Sequence, residues 1–139
     1  MEIVRTELTP EIRELRIRVF CCEQGYPQEK LFDEHDNTAG FLAVSDNGRI
    51  AGCGRFYEVR EGIFHIDNIA LSEEIRGAGW GKKLVNALLA ECKKQNAEEV
   101  TVNAESYAAG FYEKCGFSVC GGEFRDENFK RTPLKNTNL

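Results

Sequence analysis

Apolar and polar residues alternate at the start of the chain. Ile3 and Arg5 are set against Val4 and Thr6, so the span from Glu2 to Glu7 predicts an opening strand. Thr9 followed by Pro10 then supplies a helix N-cap and the favoured first-turn proline. Ile12, Leu15 and Val19 recur at helical spacing up to Phe20, and Gly25 with Pro27 predicts the stop. Residues 23–38 are polar and acidic (Glu23, Glu29, Asp33, Glu34, Asp36) and read as a solvated loop. A strand over Phe41 to Ser45, a turn at Asp46-Asn47-Gly48 and a partner strand over Ile50 to Val59 predict a hairpin. After a second turn at Glu61-Gly62, the residues Ile63, Phe64, Ile66, Ile69 and Leu71 mark a largely buried central strand.

Helical periodicity returns after Gly79. Leu84, Val85, Leu88, Leu89 and Cys92 share one face, with Lys82, Lys83, Lys93 and Lys94 elsewhere. Val100-Thr101-Val102 predicts a short strand, and a helix from about Ser106 to Lys114 ends at Gly116. Phe117 to Cys120 and Phe129 to Leu134 are expected to close the sheet as a hairpin. The order β-α-β-β-β-α-β-α-β-β predicts a mixed α/β sheet flanked by helices. With no repeat, linker or low-complexity tract, residues 1–139 read as a single domain.

The densest chemical signal is Arg76-Gly77-Ala78-Gly79-Trp80-Gly81-Lys82, between the central strand and the long helix. The first N–H groups of a helix have no intrahelical acceptor, the helix dipole adds positive potential there, and glycine permits close approach to the backbone. Such a turn is a seat for an anion such as a pyrophosphate. A dinucleotide fingerprint would need glycine at position 82, where Lys82 stands. A phosphate-binding Walker loop would need glycine at Arg76 and a hydroxyl at Lys83. The pattern Arg/Gln-x-x-Gly-x-Gly/Ala is met by Arg76, Gly79 and Gly81.

Composition narrows the partners. The 139 residues carry a formal net charge of −5, which argues against nucleic acid. No run approaches the roughly 20 apolar residues needed to span a bilayer, so no membrane partner is expected. Met1-Glu2-Ile3-Val4-Arg5 lacks the features of a signal peptide, and a cytoplasmic location is the expectation. The six cysteines include no Cys-x-x-Cys pair, and only His35 and His65 could join them as imidazole ligands. They are expected to be reduced thiols, with no metal bound.

Three segments together resemble the GCN5-related N-acetyltransferase (GNAT) family. Arg76-x-x-Gly79-x-Gly81 resembles its acetyl-coenzyme A pyrophosphate loop. Ile69-Ala70-Leu71-Ser72 looks like the end of the strand before that loop. Ala108-x-x-Phe111-Tyr112-Glu113-Lys114-x-Gly116-Phe117 looks like its later helix and following strand. Arg18-Val19-Phe20-x-x-Glu23-Gln24-Gly25-Tyr26-Pro27, then Asp33-Glu34-x-Asp36, is similar to the ElaA-like branch. Glu105 departs from the residue usual at that position in both. The resemblance implies a single GNAT-like fold with a mixed, mostly antiparallel sheet. It also implies an acetyltransferase that uses acetyl-coenzyme A as cosubstrate, without metal, to acetylate a primary amine of a small molecule or peptide in a ternary complex. A homodimer is compatible with this.

The resemblance assigns cofactor contacts to Ile69, Ala70, Leu71, Arg76, Gly77, Ala78, Gly79, Trp80, Gly81 and Lys82. The strand before the loop is expected to part from its neighbour and offer a backbone N–H at Ala70 or Leu71 to the thioester oxygen. Tyr112, with an ordinary phenol pKa of about 10, is the candidate acid for the leaving thiolate. His65 and Asp67 are the candidate base, with Glu23, Glu34 and His35 as further carboxylate and imidazole options. Strand alternation puts His65 and Asp67 on one face, and Ile66 and Asn68 on the other. The acidic loop would favour a cationic amine. The rival readings are a coenzyme A-binding module without transferase activity, and a different nucleotide enzyme that uses the same turn for ATP or NAD.

Overall fold

The computed structural model describes all residues, 1–139. An eight-stranded mixed sheet carries helices on both faces, in the expected α/β class. Strands β1 (Glu2–Thr6), β2 (Gly40–Asp46), β3 (Arg49–Arg60) and β4 (Ile63–Leu71) form an antiparallel meander. The β2–β3 turn holds Asn47 at φ 52° and Gly48 at φ 83°, the doubly positive geometry that an Asn-Gly pair favours. β5 (Glu99–Glu105) joins β4 in parallel, and β8 (Phe129–Asn136) pairs antiparallel with β5.

The closing strands depart from a simple hairpin. β6 (Ser118–Val119) does pair antiparallel with β8, but β8 lies between β5 and β6. An additional strand, β7 (Phe124–Asp126), forms the tight hairpin with β8. The three residues of β7 are largely exposed, so no buried face gave them a period to read.

Helix α3 (Trp80–Lys94) inserts Leu84, Val85, Leu88 and Cys92 into the main core against Phe64, Ile66 and Val100. Helix α4 (Ala109–Lys114) adds Tyr112 on the same side. On the opposite face, α1 (Pro10–Arg16) packs Ile12 and Leu15 against Ala43, Cys53 and Ala70. Its start is as expected: the Thr9 hydroxyl accepts from the Ile12 N–H at 3.3 Å. Its end is not. The helix widens into a π-helical segment over Ile17–Glu23 before stopping at Gly25, where φ is 78°. Hydrophobic spacing alone does not separate the two pitches, because Val19 is buried in either.

The acidic stretch 23–38 is not a solvated loop. It forms the short helix α2 (Gln28–Leu31) and a 3₁₀ turn over Glu34–Asn37, and Leu31 is buried. Asp33 and Asp36 point inward to two arginines that are themselves buried, Arg16 and Arg55. Arg16 donates to Asp36 Oδ1 at 2.8 Å and to the Leu31 carbonyl at 2.8 Å. Arg55 donates to Asp33 at 2.6 Å and to Asp36 at 3.0 Å. A polar reading missed this because it saw the carboxylates without their distant partners on α1 and β3.

Removing one partner of a buried ion pair leaves the other charge stranded. Asp36→Ala is expected to lower unfolding stability by about 3–5 kcal/mol, because both arginines lose a carboxylate together. Urea denaturation of the two proteins checks this; a loss below about 1 kcal/mol would show that the aspartate does not hold the loop down.

Candidate active site

β4 and β5 pair only at Ile63–Glu99, Phe64–Val100 and His65–Thr101. Beyond His65 the strands part, and a cleft of about 670 Å³ opens between them. Its floor comes from β4 (His65 to Leu71) and β5 (Val102 to Glu105). Val19, Phe20, Tyr26 and Asp33 form one bank, and Tyr107, Phe111, Tyr112, Phe124 and Arg131 the other.

A β-bulge shapes the floor. Cys53 faces Ala70 and Arg55 faces Asp67, so β4 has one residue more than β3 across this step. Asn68 absorbs it at φ 49°, in the left-handed region that asparagine tolerates better than most residues. The bulge breaks the simple alternation of faces. Ile66 packs in the main core, as expected, but Asn68 turns to the opposite side. There its amide oxygen, facing the guanidinium groups, accepts from Arg55 Nη2 and Arg16 Nη2, each at 3.2 Å. After the bulge, Ile69 and Leu71 pack toward the main core and Ala70 toward α1.

The peptide groups of β4 follow from one bond. The Ser72 N–H donates to the Ala51 carbonyl at 2.8 Å, so Ser72 faces β3. Alternation then turns the peptide groups of Leu71 away from β3 and those of Ala70 toward it. The Leu71 carbonyl is capped by the Arg76 side chain, which donates from Nε at 3.0 Å and from Nη2 at 2.8 Å. Arg76 also donates to Glu23 Oε1 at 2.6 Å. The Arg76 guanidinium therefore ties the strand end to α1, while its backbone opens the glycine turn.

In that turn Gly77 has φ 80° and Gly79, the N-cap of α3, has φ 87°. A Cβ at either would meet nothing within 4 Å, so the backbone faces open space. The first intrahelical bond runs from the Lys83 N–H to the Gly79 carbonyl at 3.2 Å, which leaves the N–H groups of Trp80, Gly81 and Lys82 without helical acceptors. No acidic side chain lies in the first turn to compete for them. Gly81 is covered from behind by the Phe111 ring, 3.4 Å from where a Cβ would sit. Lys83 lies over the Trp80 ring, 4.3 Å from its centroid. Ile69, Ala70, Leu71, Arg76 and Gly81 line the cleft itself; Gly77, Ala78, Gly79, Trp80 and Lys82 do not and belong to the adjoining turn.

Tyr112, His65 and Asp67 all reach the cleft. Burial raises the Tyr112 phenol well above its ordinary range, with Cys115 and Glu105 adding to the effect and Arg131 opposing it. The group stays protonated at any working pH. Its ring packs edge-on against Phe111 and Phe117.

His65 and Asp67 have different surroundings. Asp67 is clamped by Arg55 through two parallel bonds of 2.7 Å, from Nε to Oδ1 and from Nη2 to Oδ2. Tyr57 adds a bond to Oδ2 at 3.4 Å. His65 Nδ1 lies 2.7 Å from the Thr101 hydroxyl, which in turn donates to the Phe64 carbonyl at 3.3 Å. A hydroxyl has one proton. Given to Phe64, it makes Thr101 the acceptor from His65 Nδ1–H and leaves Nε2 as the lone-pair nitrogen. Burial lowers the His65 pKa, Arg55 and His35 push the same way, and Asp67 opposes them. The imidazole is therefore neutral near pH 7.

The other candidate bases lie off this line. Glu23 is tied to Arg76, His35 stacks on Tyr57 with ring centroids 4.0 Å apart, and Glu34 is exposed. Sequence reasoning did not find Arg55, Arg16, Asn68 or Thr101. No motif marks them, and a buried arginine on a strand is visible only once its carboxylates are in place.

The comparisons with known proteins agree with this geometry. The sequence model of the acetyltransferase (GNAT) domain family matches residues 8–137. The N-acetyltransferase YjcF of Bacillus subtilis is 30% identical over 105 residues, which cover 76% of this chain and 74% of that protein. The crystal structure of Escherichia coli ElaA superposes with a TM-score of 0.87 at 20% identity, covering 97% of this chain and 98% of that one. A GNAT family acetyltransferase from Elizabethkingia anophelis, solved with acetyl-CoA bound, superposes with a TM-score of 0.76 at 18% identity, covering 97% of each chain. The parted strands, the bulged floor and the glycine turn thus stand in a chain that belongs to the GNAT acetyltransferase family.

Proposed function

We propose that this acetyltransferase moves the acetyl group of acetyl-coenzyme A to a primary amine of a small molecule or peptide by direct attack in a ternary complex. The observation that carries the reading is the parting of β4 from β5 directly beside an open helix start. The residues present fit the cosubstrate. The free N–H groups of Trp80, Gly81 and Lys82, with the bare backbone of Gly77 and Gly79, suit a pyrophosphate. Each hydrogen bond to a charged group contributes roughly 1.5–3 kcal/mol, so a few that converge suffice without a lysine. The unpaired edge of β4 at Ile69 and Leu71 suits a pantetheine arm, and the Leu71 N–H suits the carbonyl oxygen. When bound, the cosubstrate supplies the activated acetyl thioester.

The remaining roles fall to side chains of the cleft. His65 Nε2, neutral and unprotonated, takes the proton from the acceptor ammonium, directly or through water. Asp67, fixed by Arg55, holds negative charge beside the amine. Tyr112 supplies a proton to the departing sulfur. The acidic loop gives less support to a cationic acceptor than its composition suggests: Glu23, Asp33 and Asp36 are each paired with an arginine. In place of Ala-Asn or Ala-Gln, the chain ends β5 with Ala104-Glu105, and Glu105 stands 3.9 Å from Arg131.

Three measurements test this assignment. Gly79→Glu fills and charges the open side of the turn. Calorimetry is expected to show no acetyl-coenzyme A binding while circular dichroism retains the helical signal, and binding of unchanged strength would remove the turn from the site. Tyr112→Phe is expected to lower kcat by about 10²–10⁴-fold with little change in cosubstrate affinity; an unaltered kcat would exclude the phenol as the acid. In the pH profile of kcat, activity should fall as the pH drops through a value below the ordinary histidine pKa of about 6.5, because protonation of His65 removes its lone pair. His65→Gln should lose that acid limb, and an identical limb in both proteins would assign the proton to another group.

A further inference from the structure

Two segments far apart in sequence meet across the cleft. Tyr26, just after α1, donates from its hydroxyl to Asp126 Oδ1 at 3.3 Å. Lys30 on α2 is paired with Glu127 in the β7–β8 turn. The Tyr26 and Phe129 rings lie 5.9 Å apart. Tyr26 and Lys30 line one bank of the cleft and Asp126 the other, so these contacts span the opening between them.

A second observation concerns the turn itself. Asp126 pairs with Phe129, so Glu127 and Asn128 form a two-residue hairpin loop. Glu127 has φ 56°, where hairpins of this length use glycine, asparagine or aspartate. A non-glycine residue held there is strained and persists when its surroundings fix it. Its side chain is the one that reaches Lys30. Both members of that pair are solvent-accessible, with 60% of the Lys30 and 30% of the Glu127 side chain exposed, and such pairs contribute little.

We propose that Tyr26–Asp126 and Lys30–Glu127 form a latch over the acceptor end of the cleft, and that it selects slender small-molecule amines over peptide chains. The inference rests on the transferase reading above and narrows its acceptor. An amine with a narrow body passes beneath the latch. A peptide amine carries backbone and side chains that must continue outward through the space the latch occupies.

The test needs no turnover. Coenzyme A is joined through an acetyl bridge either to butylamine or to the N-terminus of a pentapeptide, and each conjugate is titrated into the full chain by calorimetry. The wild type is expected to bind the butyl conjugate about tenfold or more tightly than the peptide conjugate. The variant Tyr26→Phe/Lys30→Ala/Glu127→Gly, which removes both bridges, is expected to close that gap to about twofold, with affinity for coenzyme A alone unchanged. Glycine relieves the φ 56° position, so the hairpin persists, and thermal unfolding of the variant verifies this. Equal binding of both conjugates by the wild type overturns the latch, and so does a gap that survives in the variant lacking both bridges. Failure of coenzyme A itself to bind would sink the transferase reading instead, and the latch with it.

Discussion

Two guanidinium groups buried behind β4 hold the site in shape. Arg16 from α1 and Arg55 from β3 share Asp36, and Arg55 also takes Asp33 and Asp67. The cluster joins the α1 segment, the acidic stretch and the central strand at one point. Its net contribution to stability is modest in principle, because burying charges cancels much of their attraction. Its effect lies in position. Any displacement of the 3₁₀ turn takes Asp36 from the buried Arg16 and leaves Arg55 with Asp67 alone, so the turn has one place to sit. The bulge at Asn68 belongs to the same constraint, since both arginines approach its amide. Ion pairing thus sets the bank of the cleft and the kink in its floor together.

The second constraint is the short pairing of β4 with β5. Three residue pairs hold the strands together, and the main core under Phe64, Ile66 and Val100 fixes that end. Past Thr101 the strands are committed to different neighbours, β4 to β3 and β5 to β8. Each is well satisfied on its outer edge, so the gap between them persists without a partner in the protein. Unpaired strand edges normally invite association. Here the exposed peptide groups face a cleft banked by Phe111 and Tyr112 of α4.

Much of this was legible in the chain, and the failures have a common cause. Local signals carried well: the Thr9 cap, the Asn47-Gly48 turn, the apolar face of α3 and the glycines before it all act within a few residues. The open backbone at Gly77 and Gly79 followed directly from residue type. What failed depended on contacts distant in sequence. Asp33 and Asp36 looked solvated because Arg55 stands about twenty residues away. Asn68 was assigned the wrong face because a bulge is invisible to an alternating pattern. The π-helical widening of α1 left the same residues buried as a regular helix would. Thr101, which fixes the tautomer of His65, was merely the middle of a short strand.

The paired charges also change the electrostatics of the cleft. An acidic loop beside a cleft suggests recognition by charge, yet three of its carboxylates are paired with arginines, and Asp67 of β4 joins two of them in the buried cluster. Field from neutralised pairs falls off faster than field from single charges, so these paired carboxylates add little at long range. Within the cleft itself the position is different. Asp67 keeps lone pairs on the cleft side of its clamp, and His65 presents one unprotonated nitrogen. What the cleft offers besides charge is the aromatic rings of Phe20, Tyr26, Phe111 and Phe124 and the width of the opening they leave. This cleft has committed most of its charges to holding its own walls, so what its banks define is a shape more than a field.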